Sequence, residues 1–297
     1  MPDMELRHLT FFLAVANEGN ITRAAEAVHT SQPNLSRQLQ ELEESLGCKL
    51  LNRGKVITLT EAGELLKRRA EEILRLTAKT EEELSESPSE MAGTVAIGFG
   101  EMKPVQDIAR LAVSFKAHYP NVRFDFFTGT ADQVKEQMEK GLLDAGMLLE
   151  PVEIEKYDFF RLEKKVQFVA VMQSSAPLAE KKSVTPQDLA PLPLIFPVRR
   201  NVRNELFSWF GEYAQKLNIA ATGNLAANTA ILVQNGLGTA IGSDGIPVPL
   251  GMENQITCRP LEPELSFSAV IAWKKSVRLS PLAGAFIRFA KSELKPN

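Results

Sequence analysis

"ITRAAEAVHTSQPNLSRQLQELEESLG", residues 21–47, is a helix broken by a turn and resumed. Ile21, Ala24, Ala25 and Val28 fall on one face of a short helix over 21–28, and the paired alanines let another helix approach closely. "HTSQP" interrupts it. Ser31 is then a good N-cap, and Pro33 is tolerated because first-turn amides have no acceptor inside the helix. Leu35, Leu39, Leu42 and Leu46 recur at steps of four, three and four, and Gly47 stops the helix. The opposite face opens with Asn34, Arg37, Gln38 and Gln40, and the acids Glu41, Glu43 and Glu44 come only in later turns.

Upstream, "LRHLTFFLAVA" (6–16) places Leu6, Leu9, Leu13 and Ala16 on one helical stripe with Phe12 beside it. Gly19 ends that helix and Asn20 caps the next. Downstream, "RGKVITLT" (53–60) has cations at a turn and a short strand at Val56, Ile57 and Thr58. Two short helices with amides and a guanidinium at the second helix's start suit a DNA major groove, where Gln and Asn pair with adenine and Arg with guanine or phosphate. The turn and strand would form a wing against the phosphate backbone. The same face could instead belong to a small helical domain and meet only water. Residues 1–60 hold six Lys or Arg against seven Asp or Glu, so the pattern, not the bulk charge, speaks for DNA.

The run "LTFFLAVANEGNITRAAEAVHTSQPNLSRQLQELEESLGCKLLNR…ITLTEAG" closely resembles the winged helix-turn-helix of the LysR-type transcriptional regulators. Ala24, Ala25, Ser31, Gln32, Pro33, Ser36, Leu42, Glu43, Gly47, Arg53, Leu59, Thr60, Ala62 and Gly63 stand at that family's spacings. The resemblance implies that Gln32, Pro33, Asn34, Arg37 and Gln40 face the groove, and that Ser31, Ser36 and Arg53 contact phosphates, with Lys55 on the wing. Two features depart from the pattern: Leu51 stands where Phe is usual, and the wing is one residue short with Lys55 as its single lysine.

From Thr60 to about Ser87 the chain reads as a charged helix, with Thr60, Gly63 and Glu64 forming an approximate cap. Leu66, Ala70, Ile73, Thr77, Thr80 and Leu84 make a narrow uncharged seam. A partner helix would cover it, as would this chain's own first domain; the family pairs such helices between subunits. "SESPSEMAG" (85–93) marks a boundary.

The remaining two hundred residues alternate strand and helix. "TVAIGFG", "FDFFTG" and "AGMLL" read as strands around helices at "VQDIARLAVSFKAHYP" and "TADQVKEQMEKGLL", an α/β unit with a parallel sheet. A second round runs through "VQFVAVM" (166–172), "PLIFP", a helix over 202–217, "AILVQNGLG" and "TAIG", and the chain closes on "FSAVIAW" and a last helix. "F...YP", "G..D", "PLA", "DL" and "V..GLG.A" occur in the order of the family's effector domain, so the resemblance covers essentially the whole chain.

The expected fold is therefore an N-terminal winged helix-turn-helix (1–60), a linker and dimerisation helix (61–90) and a C-terminal α/β effector-binding domain (91–297). The last resembles periplasmic binding proteins, with two Rossmann-like subdomains over about 91–164 with 267–297, and about 165–266.

Ligands of open α/β sheets sit beyond the carboxyl ends of strands. That rule points to Gly100, Glu101 and Met102, to Thr128, Gly129 and Thr130, to Phe196, Pro197 and Arg199, and to Asn228 at the start of a later helix. Thr128 and Thr130 could bond a carboxylate or hydroxyl, and Arg199 or Arg200 could pair with its charge. Each threonine could equally be a helix cap, and each arginine a solvated charge. Glu101 stands where the family often has Ser or Thr, which leaves an amine-bearing or neutral ligand open, and "SDGI" (243–246) replaces an apolar ending.

Composition fits a cytoplasmic protein without cofactor. The 297 residues are 44% hydrophobic and 24% charged, with net charge −3, so any nucleic-acid binding must be local. Two cysteines, Cys48 and Cys258, offer neither a disulfide framework nor metal spacing and read as inert. The start "MPDMELRHLTFF" lacks the pattern of a secretory leader, and 219–243, the most apolar window, is broken by Asn224, Asn228, Gln234 and Asn235. His8, His29 and His118 show no catalytic or metal pattern, so no enzyme is expected. The expected function is ligand-controlled, sequence-specific DNA binding by a homodimer or, as is common in the family, a tetramer. The alternative is a ligand-binding protein whose helical domain binds a protein partner.

Overall fold

Capping decides where each N-terminal helix begins in the computed structural model, which describes residues 4–54, 56–85, 91–150, 152–153, 155–245, 251 and 254–294. The chain divides into two compact units, Met1–Ser85 and Glu86–Asn297. In the first, helix α1 (Leu6–Glu18) stops at Gly19, whose left-handed φ of 60° suits glycine. Asn20 Oδ1 accepts the amides of Thr22 at 2.9 Å and Arg23 at 3.1 Å and starts α2 (Ile21–Ala27). Ser31 Oγ accepts the Asn34 amide at 3.4 Å and opens α3 (Gln32–Leu46), with Pro33 in its first turn. Ala24, Ala25, Leu35, Leu39 and Leu42 are buried, and Gly47 ends α3.

The stripe of α1 differs from the sequence reading. Leu9, Phe11, Phe12 and Val15 are buried, whereas Leu6 is exposed and Leu13 and Ala16 are half-buried. The helix packs against α2, α3 and helix α4 (Glu61–Ser85) together, so its contact face is broader than one stripe and rotated from it. Glu43 also differs: it is 3% exposed, not part of the outer face. Cys48, set in an apolar run, is exposed, as is Cys258.

The wing is a minimal hairpin, β1 (Leu51–Asn52) against β2 (Thr58–Leu59). The strand expected at 56–58 begins only at Thr58, because the Ile57 amide bonds Gly19 O at 3.0 Å instead of joining the ladder. Thr60 is a full cap: its hydroxyl donates to Lys49 O at 2.7 Å and accepts the Gly63 amide at 3.0 Å. Gly63 is required there, since a Cβ would lie 2.1 Å from Leu50 O. Along α4, Ala70 is buried and Leu66, Ile73 and Thr77 are half-buried, while Thr80 and Leu84 are exposed. Residues 86 and 87 of the expected helix lie outside the described residues.

The second unit is a mixed sheet covered by helices. Strands β3 (Gly93–Phe99), β4 (Val122–Thr128) and β5 (Ala145–Leu149) run parallel, joined by α5 (Val105–His118) and α6 (Ala131–Glu139). Ile108, Leu111, Ala112 and Phe115 bury the inner face of α5, as their spacing predicts. Next come β6 (Tyr157–Gln173), α7 (Pro186–Leu189), β7 (Pro193–Pro197), α8 (Arg200–Phe210), β8 (Asn218–Gly223), α9 (Ala226–Gln234) and β9 (Thr239–Ser243). The chain finishes with β10 (Ile256–Pro260), β11 (Ser266–Lys274) and α10 (Pro281–Leu294), whose Phe286 ring meets Phe115 edge-on at 5.3 Å.

The sheet order is β4-β3-β5-β11-β6-β9-β7-β8, with β10 beside β6. Within each half the strands are parallel, and β6 and β11 join the halves by pairing antiparallel with each other, with β11 also antiparallel to β5 and β6 to β9. Strand β6 extends nine residues further upstream than expected, because its early, charged segment pairs with β11. The helix expected over 202–217 breaks at Gly211 (φ 55°, ψ −122°), and 211–216 continue as a 3₁₀ turn. Strands β8 and β10 had no reading in the sequence. No described helix is long and apolar enough to cross a membrane.

Candidate functional site

Helix α3 presents a polar start on a fixed base. Ser31, Gln32, Pro33, Arg37 and Gln40 are exposed, and Asn34 and Ser36 are half-buried. Asn34 is held by its own turn, its Nδ2 donating to Thr30 Oγ1 at 2.9 Å. Gln40 Nε2 donates to Glu44 at 2.9 Å, and Arg37 Nε lies 3.5 Å from Glu41. Such exposed pairs contribute ~0–1 kcal/mol, so an incoming phosphate or base edge can replace them.

Below that face, Glu43 ties the helix to the wing. Its Oε1 accepts the Leu50 and Leu51 amides at 2.7 and 3.1 Å, and its Oε2 meets Lys49 Nζ at 3.0 Å. Burial by itself would raise this carboxyl; the bonds from the Leu50 amide, Lys49 and the Leu51 amide outweigh it and hold the group below its ordinary value. Arg53, the wing cation, lies 3.9 Å from the same carboxylate and stays exposed. Lys55 lies outside the described residues.

In the second unit a cavity of about 390 Å³ opens at the carboxyl ends of β3, β4 and β7. Gly100, Glu101, Met102, Gly129, Thr130, Phe196, Pro197 and Arg199 all line it. Thr128 and Asn228 do not: both are exposed, Thr128 at the end of an alternating strand and Asn228 on the outer side of α9. Helix α9 also starts two residues before Asn228, at Ala226. Thr130 is committed to its helix, since its hydroxyl accepts the Gln133 amide at 3.3 Å and donates to Gln133 Oε1 at 3.0 Å. Burial pulls the Arg199 guanidinium below its ordinary value, against the fields of Asp132 and Glu153.

The lining also includes residues that sequence reasoning missed, among them Asp132, Val202 and Thr229, and it takes in Ser243 from the "SDGI" stretch that the sequence marks for the far wall. Val202 and Thr229 lie within the first four residues of helices that begin two residues earlier than expected, so the strand-end rule passed over them. Apolar walls come from Met147, Phe168, Val171 and Ile195, interior positions of strands that no loop rule could find.

The model of the family described as "LysR substrate binding domain" matches residues 88–295, and that described as "Bacterial regulatory helix-turn-helix protein, lysR family" matches residues 6–64. The chain is similar to the Hca operon transcriptional activator HcaR of Escherichia coli (strain K12), with 30% identity over 300 residues that cover 98% of each chain. Its fold is similar to that of CbnR, a LysR family transcriptional regulator (TM-score 0.76, 21% identity, 99% of this chain and 100% of that one). Full-length CbnR complexed with its target DNA is similar as well (TM-score 0.72, 22% identity, 97% and 99%). The two matched domains span nearly the whole sequence in the same order as the two units of the fold. The chain belongs to the LysR family of transcriptional regulators, with a helix-turn-helix DNA-binding domain and an α/β effector-binding domain, and is not an enzyme.

Proposed function

We propose that α3 enters the major groove through Gln32, Pro33, Asn34, Arg37 and Gln40, while Ser31, Ser36, Arg53 and Lys55 hold phosphates. The observation that carries this is the exposed polar start of a helix whose other face is locked by Leu35, Leu39 and Leu42. Asn34, already bonded to Thr30, contributes through its outer edge only. Full-length CbnR has been captured on its target DNA, which supports the same use of the motif here.

The functional division that fits is a reading domain (1–60), a linker helix (61–90) and an effector domain (91–297). Subdomain I takes about 91–164 with 267–297, and subdomain II about 165–266. Leu65, Leu76 and Leu84, 52%, 44% and 82% exposed on α4, are the apolar surface that a second copy covers to make a homodimer with two reading helices. The cleft of the α/β unit binds a small molecule whose occupancy shifts the two halves of the sheet relative to each other. That alters the spacing of the reading heads and the bend they impose on DNA. The protein acts in the cytoplasm, where its DNA is.

Fluorescence anisotropy with DNA from upstream of its own gene, across a salt series and beside scrambled DNA, tests the reading. Specific, salt-steep binding weakened by Arg37→Ala and Gln40→Ala is the expected result. Absence of DNA binding at every salt concentration, with or without added metabolites, would transfer the helical domain to a protein partner.

A further inference from the structure

Glu101 lines the cavity, and its carboxylate already has a partner there. Its Oε2 accepts the amide of Ala227, in the first turn of α9, at 3.0 Å. Its backbone carbonyl accepts from Ser243 Oγ at 3.2 Å. Two residues on, the Lys103 amide donates to Asp244 O at 3.2 Å, and Lys103 Nζ lies 3.5 Å from Asp244 Oδ2. Gly245, at φ 77°, passes so close that a Cβ would lie 2.6–2.8 Å from Lys103. The loop after β3 is thus fastened across the cleft to the end of β9 and to α9. No described residue bonds Glu101 Oε1.

The first amides of a helix have no intrahelical acceptor and draw anions. In this cleft the chain supplies that anion itself. A ligand carboxylate brought to the same place would meet like charge and find the Ala227 amide taken. A nitrogen donor would find the second oxygen of Glu101 open. Among the described residues two cations line the cavity: Arg200 is exposed and screened by water, and half-buried Arg199 lies in the fields of Asp132 and Glu153, which offset its pull on an anion. The remaining walls, with Met102, Phe168, Ile195 and Phe196, accept an apolar body.

We propose that Glu101 sets the charge class of the effector: the cleft takes a molecule with an apolar body and a neutral or cationic N–H head, and rejects a carboxylate head. The assignment rests on reading the cleft as the effector site. Benzoate, benzamide and benzamidine share one ring and differ in head group, so their binding to the full-length protein, measured by calorimetry, isolates the head. Wild type is expected to bind benzamidine and benzamide roughly tenfold more tightly than benzoate, the scale of one charge-assisted hydrogen bond. In E101A that preference disappears and benzoate gains; E101Q, which keeps the shape and an acceptor for Ala227, loses the preference for benzamidine.

Benzoate binding best to wild type, or a preference unchanged in both variants, overturns the assignment. If all three probes bind alike to every protein, the cleft stands as a ligand site and Glu101 loses its role. If none binds any of them, the cleft reading falls and takes this proposal with it. Hydrogen exchange at Ala227 in the ligand-free protein gives an independent readout: the amide must exchange faster in E101A, and an unchanged rate also overturns the proposal.

Discussion

The Glu43 carboxylate accepts the Leu50 amide at 2.7 Å, so the first strand of the wing hangs from the reading helix through one buried side chain. Glu43→Gln keeps one acceptor but removes the charge that Lys49 and the two amides share, at a cost of about 1–3 kcal/mol in stability. The pH dependence follows from the lowered carboxyl. As pH falls, the unfolded chain takes up its proton first, so the contribution is complete above the ordinary carboxyl value and is lost as pH drops through the lowered one. Urea midpoints from pH 7 to pH 3 check this: wild type should lose more stability with acid than Glu43→Gln, and parallel curves would refute it.

Binding to DNA should separate the α3 side chains from the wing. Arg37→Ala and Gln40→Ala are each expected to weaken the specific site by ~1–3 kcal/mol while leaving scrambled DNA almost unaffected. Arg53→Ala should weaken both DNAs alike and reduce the salt slope by about 0.9. A sequence-independent loss from Gln40→Ala would remove that residue from the groove.

Gly63→Ala tests the junction between wing and α4. The added methyl would stand 2.1 Å from Leu50 O, and both are backbone-anchored. Relief requires moving β1 or the helix start, at about 1–3 kcal/mol. A thermal melt of the variant should show an earlier transition; an unaltered midpoint would mean that the junction yields freely.

Dimerisation through α4 predicts that Leu84→Glu and Leu76→Glu weaken self-association without loss of helix content. Each removes a leucine whose full burial contributes ~1.5–3 kcal/mol, a tenfold or larger change in the dimer constant. Sedimentation equilibrium reads it directly, and unchanged association in both variants would move the interface elsewhere.

What the sequence disclosed was local chemistry. Asn20 and Ser31 accept neighbouring amides, Gly47 takes the left-handed turn that ends α3, and the helices stand where those residues put them. Glu43 was misread because its partners, Leu50 and Leu51, come from a later turn that periodicity does not see. The same holds for β6, whose charged beginning becomes strand only by pairing with β11 a hundred residues away. In the cleft, residues after strand ends were legible by rule, whereas the strand interiors that form its walls were not. Glu101 and the "SDG" of 243–245 each stood out as departures from the family pattern, and the fold brings them into contact.

Strand β11 lies between β5 and β6, in the middle of the sheet, yet of the described strands it is the last in chain order to leave the ribosome. The helix-turn-helix unit is complete some two hundred residues before it. With synthesis at ~5–20 residues per second, β5 waits on the order of ten seconds for its neighbour. During that interval its inner edge is an unpaired apolar strand, the kind of surface chaperones hold. A premature stop before Ser266 would therefore release a chain that has its DNA-binding domain but lacks the central strand of the other.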